Sequence, residues 1–191
     1  DEIYLDLADD LPDGRPAQSV LAHDPDAIVI SSFSKYFGMT GWRLGWAVLP
    51  EQLVEAVERM SMNYFLCASA PVQHAALAAF SAESLRECEE RKAELRHRRE
   101  IVLAALDDMG LDVPVPPDGA FYVYIDVSST GLDAWTFCER ALAEFHVSLT
   151  PGRDFAVATA DSHVRLSYAA SREELVEGCE RLARFVRSLE S

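Results

Sequence analysis

A chain of 191 residues that is 49% hydrophobic can bury the core of one large domain or two small ones. Its net charge of −15 argues against nucleic acid as the main partner, because phosphate backbones recruit basic faces. No apolar run approaches the roughly 20 residues that a membrane-spanning helix needs, so a membrane role is not expected.

Asp1 to Leu5 reads as an apolar strand end with no leading turn, as in a chain cut from something longer. Ala27-Ile28-Val29-Ile30, closed by Ser31-Ser32, predicts a strand buried on both faces of a parallel sheet. Trp42 to Leu49 predicts a second strand, stopped by Pro50. The segment between them is then a strand-end loop, the usual ligand-binding place in open α/β sheets.

Glu51 to about Met62 has apolar residues at helical spacing, and a second helical stretch follows Ala70-Pro71. Glu83 to Met109 predicts the longest helix, with Leu85, Cys88, Leu95, Val102 and Leu106 on one side. Its Glu87/Arg91 and Glu94/Arg98 pairs stand at i,i+4, so the charge run, Lys92 included, reads as a solvated face.

Gly110 ends that helix, and a Pro-rich connection leads to Phe121–Val127, an alternating, half-buried strand. Ala134 to Phe145 predicts a helix, and Val147 to Thr150 a short strand stopped by Pro151-Gly152. His163 to Ala169 alternates again. Ser171 with Glu174 forms a capping box ahead of Leu175, Cys179, Leu182, Val186 and Leu189, one helix face.

Cys67, Cys88, Cys138 and Cys179 lie far apart without CxxC spacing, which argues against a disulfide framework or zinc site and fits a cytoplasmic protein. The last three fall on apolar helical positions and are expected to pack as small hydrophobes. The five histidines show no metal-ligand spacing, and no metal is assigned.

Of the 17 basic residues only Lys35 and Lys92 are lysines. Lys35 sits in Ser32-Phe33-Ser34-Lys35-Tyr36-Phe37-Gly38-Met39-Thr40-Gly41-Trp42-Arg43. A site that needs a neutral amine cannot use arginine, which keeps its proton. An arginine eight residues on offers a planar fork of donors suited to a phosphate, and hydroxyls precede the lysine. The layout suits imine chemistry beside an anion.

That run resembles the cofactor-lysine segment of the fold-type I aminotransferases that use pyridoxal 5′-phosphate (PLP), the class I/II, aspartate aminotransferase-like family. The resemblance implies that Lys35 forms a Schiff base with PLP and acts as the catalytic acid and base, while Ser32 and Arg43 bind the cofactor phosphate. Asp1 and Tyr4 match an Asp-x-x-Tyr pair placed 34 residues before the lysine. In the family the Asp meets the pyridine nitrogen and the Tyr meets the ring's phenolic oxygen. Arg165, in Val164-Arg165-Leu166-Ser167-Tyr168-Ala169, matches the arginine that binds the substrate α-carboxylate. Pro117-Asp118-Gly119-Ala120-Phe121-Tyr122 resembles the segment that runs past the substrate pocket, with Phe121 and Tyr122 as core and pocket wall.

The implied fold is α/β: residues 1–75 as the C-terminal part of the PLP-binding large-domain sheet, then residues 76–191 as an α+β small domain. The matched segments run in order over nearly the whole chain but cover only the second half of the family's usual length. The implied activity is transamination between an amino acid and a 2-oxo acid in a homodimer, with the apolar, aromatic loop near Tyr64-Phe65-Leu66 as a hint of a cross-subunit wall. A PLP-dependent lyase or synthase, and a non-catalytic fragment, remain open as alternatives.

Overall fold

The computed structural model describes residues 1–189. Packing divides them into a unit of Asp1–Ala93 and a second that begins at Glu94. The division proposed from the sequence, after residue 75, falls inside the helix Ala70–Ala79.

In the first unit, β1 (Val29–Ser32) and β2 (Gly45–Val48) pair antiparallel, with Val29 opposite Val48 and Ser32 opposite Gly45. The two faces of β1 differ: Val29 is 3% exposed, whereas Ile28 and Ile30 are 52% and 50% exposed. Among the described residues β1 thus pairs antiparallel with β2 and covers one face, where the sequence predicts a parallel strand covered on both. Side chains alternate across a strand, and an unbroken apolar run does not say whether one face or both are covered. Gly45 is needed for the pairing, since a Cβ there would lie 2.7 Å from Ser31 O.

Asp1 to Leu5 does not form a strand. Glu2 N donates to Ile30 O at 2.8 Å, which lays this segment beside β1, and Leu5–Leu7 then closes a short 3-10 turn. Helices α1 (Glu51–Tyr64), α2 (Ala70–Ala79) and α3 (Ala82–Asp108) follow, each near its predicted bounds. None of the side chains of α1 is buried, and α2 buries only Ala76. The packed centre of the unit is aromatic: Phe33 has Phe37, Trp46 and Phe80 at centroid distances of 5.0, 5.1 and 5.7 Å.

The second unit is built on an antiparallel sheet of order β3-β5-β4, with β3 Tyr122–Asp126, β4 Thr150–Pro151 and β5 His163–Ser167. The predicted strand over Val147–Thr150 is thus shifted and cut to two residues. His146 takes a left-handed conformation (φ 60°) that ends the helix before it, and Val147 N still donates to Ala141 O at 3.1 Å. Val123, Ile125, Val164 and Leu166 face the core, where α4 (Ala134–Phe145) brings Phe137 and Ala141 and α5 (Arg172–Leu189) brings Leu182 and Phe185. Val102 and Leu106 of α3 are fully buried in the same core.

Polar groups fix the helix ends. Asp133 caps α4 by accepting from Trp135 N and Thr136 N at 3.0 and 3.1 Å. The Ser171/Glu174 capping box forms in both directions, Ser171 N to Glu174 Oε2 at 3.0 Å and Glu174 N to Ser171 Oγ at 3.3 Å. Glu94 of α3 accepts from Arg98 Nε at 2.8 Å and from Arg172 Nε at 2.8 Å. The Arg172 bond, then the Arg98 bond, hold the Glu94 carboxyl down at about 2. Cys88, Cys138 and Cys179 are buried free thiols, as their helical positions predict, and Cys67 is exposed. Burial pushes the Cys138 thiol up to about 11.

Candidate active site

Lys35 stands in the connection between β1 and β2, which also carries Ser32 at its start and Arg43 near its end. The loop is tied to itself around the lysine. Ser34 N donates to Ser32 Oγ at 3.1 Å, Thr40 Oγ1 to Ser34 O at 2.6 Å, Gly38 N to Lys35 O at 3.0 Å and Met39 N to Phe33 O at 3.0 Å. Phe33 N donates to Leu44 O at 3.0 Å, so the last β1–β2 rung extends into the loop. Rigid bonding of this kind fixes where a flexible lysine stem begins.

Lys35 Nζ lies 5.6 Å from the ring centroid of Tyr4. The residue three positions before Tyr4 is Asp1, whose Oδ1 accepts from Ile3 N at 3.1 Å. Two residues predicted from separate parts of the sequence, Lys35 and Tyr4, are thus brought together. Arg43 is exposed and left-handed (φ 53°), an uncommon conformation for a residue with a side chain, and its Nη1 donates to Thr40 O at 2.9 Å. Strain of this kind collects at functional positions.

In the second unit, Arg165 lies on the central strand β5, opposite Tyr124 of β3 and Thr150 of β4. It points to the face away from the core, because its neighbours Val164 and Leu166 point into it. Its guanidinium is sandwiched 4.1 Å from the Tyr122 ring and 4.1 Å from the Phe155 ring. Among the described residues Arg165 Nε is buried with no hydrogen-bond partner. A buried donor without a partner is costly, and an arginine left that way is incomplete without an incoming acceptor.

The short turn that brings Phe155 over this arginine depends on Gly152. A Cβ at that position would come within 2.5 Å of His163 O and 2.7 Å of Tyr124 Oη. Tyr124 also stacks on His163 at 4.9 Å and bonds Thr159 Oγ1 at 3.1 Å. The sheet face beside Arg165 is thus built of aromatic side chains in fixed places.

Residues 1–182 match the family described as aminotransferase class I and II. The chain belongs to that family. It is 39% identical over 189 residues to the valine–pyruvate aminotransferase of Mycobacterium tuberculosis, covering 98% of this chain and 48% of that protein. The crystal structure of an aminotransferase from Mycobacterium tuberculosis superposes with a TM-score of 0.91 at 36% identity, over 98% of this chain and 48% of that one. The aromatic aminotransferase of Pyrococcus horikoshii superposes at 0.90 with 35% identity, over 99% and 50%. The chain spans about half the length of the curated relatives it matches. As a member of the aminotransferase family it has the α/β fold that its sequence implies.

Two features of this aminotransferase-family chain escape sequence reading. Phe155 lies ten residues before Arg165 outside any periodic element, and only the Pro151-Gly152 turn ahead of it hints at a close approach. Tyr36 donates to Glu89 Oε1 at 2.5 Å across 53 positions. Burial, together with that bond, pushes the Tyr36 hydroxyl well above its ordinary value, so it stays a donor.

Proposed function

We propose that the protein is a PLP-dependent aminotransferase that moves an amino group between an amino acid and a 2-oxo acid, and that Lys35 is its catalytic amine. The approach of Lys35 Nζ to the Tyr4 ring, on a loop that also holds Ser32 and Arg43, carries this reading. When bound, PLP supplies an aldehyde that condenses with a primary amine, releasing one water, and a ring that accepts electrons.

The chain's own groups then have distinct tasks. Lys35 Nζ would tether the cofactor and, once released, would take the proton from the substrate's α-carbon and deliver it two bonds away, to the carbon that had carried the aldehyde oxygen. The Ser32 hydroxyl and the Arg43 guanidinium grip the phosphate. The Asp1 carboxylate keeps the pyridine nitrogen protonated, and the Tyr4 hydroxyl donates to the ring oxygen. Arg165 binds the substrate α-carboxylate, and its ring-clamped guanidinium, with a buried Nε that has no partner among the described residues, supports that role.

A homodimer suits the loop Tyr64-Phe65-Leu66, whose side chains are 80%, 63% and 77% exposed. Buried unpaired thiols fit a cytoplasmic setting. The names of the relatives differ in substrate, so the amino donor is not carried over from any of them. The test is borohydride reduction of the full-length protein with PLP, followed by peptide mass analysis. A cofactor adduct on Lys35 that is absent from Lys35→Ala supports the reading, and an unmodified Lys35 peptide refutes it. Product formation that needs no 2-oxo acid would point instead to a lyase on the same fold.

A further inference from the structure

The residue after the lysine is the one that leaves the loop for another element. Tyr36 donates its hydroxyl to Glu89 Oε1 of α3 at 2.5 Å, within the Asp1–Ala93 unit. Two residues on, Gly38 (φ 67°) lies against Arg91 of the same helix, so closely that an added Cβ would meet Nη1 at 2.2 Å. Arg91 is held in turn by Cys88 Sγ at 3.1 Å and Glu87 O at 3.3 Å. Between them, Phe37 packs on Phe33 at 5.0 Å and on Phe80 at 5.3 Å.

Each of the three residues after Lys35 is therefore seated: Tyr36 by a bond, Phe37 by rings, and Gly38 by the absence of a side chain. The first of these is charge-assisted and directional, and it acts one peptide unit from the lysine Cα. We infer that Tyr36 and Glu89 are positioning residues for Lys35. Their phenol–carboxylate bond fixes the point from which the lysine amine reaches the cofactor aldehyde. The bond touches neither phosphate nor ring, so its loss slows attack by the amine while the grip of Ser32 and Arg43 on the phosphate persists. This rests on the function proposed above.

The experiment compares full-length wild type with Tyr36→Phe, Glu89→Leu and Glu89→Gln. Two readouts are taken: hydrogen exchange at the Gly38 and Met39 amides without cofactor, and the rate at which the imine absorbance band appears after PLP is added. Tyr36→Phe and Glu89→Leu should each raise exchange and slow band formation by roughly tenfold, while PLP affinity changes little. Glu89→Gln keeps an oxygen that accepts from Tyr36 and should restore both rates to within about threefold of wild type.

Unchanged rates in Tyr36→Phe overturn the inference, as does a Glu89→Gln variant as slow as Glu89→Leu. Should Glu89→Leu not fold, Tyr36→Phe, which removes a single oxygen, decides the matter alone. If wild type itself yields no imine band, the functional proposal falls. Exchange then decides whether this bond holds the loop.

Discussion

At the scale of single residues, the most telling group is Arg165. Its guanidinium has a ring on each side and a buried Nε with no partner among the described residues, so it is held firmly but its hydrogen bonding is left unfinished. Ring faces attract a cation without competing for its N–H donors, which stay available to a carboxylate. Phe155→Leu removes one face at a cost of about 1 kcal/mol, and on the proposed function KM of the full-length protein for an amino-acid substrate should rise roughly fivefold with kcat little altered. Steady-state kinetics check this, and a fall in kcat at constant KM would contradict it. Lys35 could be picked out in the sequence because its motif is local. Phe155 could not, because its meeting with Arg165 is set by the turn at Gly152 and not by any spacing.

At the scale of elements, the Glu94 cluster joins α3 to the start of α5. Glu94 titrates near 2 in the folded chain, below its ordinary 4.5, chiefly because Arg172 and then Arg98 donate to it. Its contribution is therefore complete above about pH 4.5 and is lost as pH falls toward 2, since the unfolded chain takes up the proton first. Melting curves of wild type and Glu94→Gln should differ at pH 6 and converge between pH 4.5 and 2. A gap that stays constant over that range would refute the linkage. The Glu94/Arg98 pair was readable from i,i+4 spacing, whereas the Arg172 arm spans 78 positions and has no sequence signal.

The helices were readable because their apolar period and caps are local, and α4 follows its predicted bounds residue for residue. The sheets are less legible in the sequence. Neither the pairing direction of β1 nor the number of its covered faces is encoded in four apolar residues, and β4 keeps only Thr150 of its predicted span and adds Pro151.

Across the whole molecule, burial is uneven. Most of the fully buried side chains belong to the part that begins at Glu94, while Ile28, Ile30, Met60, Met62 and Phe65 of the earlier part are half exposed or more. The helix Glu51–Tyr64 shows this most plainly, having no buried side chain to hold it down. Local opening of such a segment costs little free energy compared with opening the helix that contains Leu182 and Phe185. Trypsin acting on this folded 191-residue segment should therefore nick after Arg59 well before it cuts after Arg181, as timed peptide masses would record.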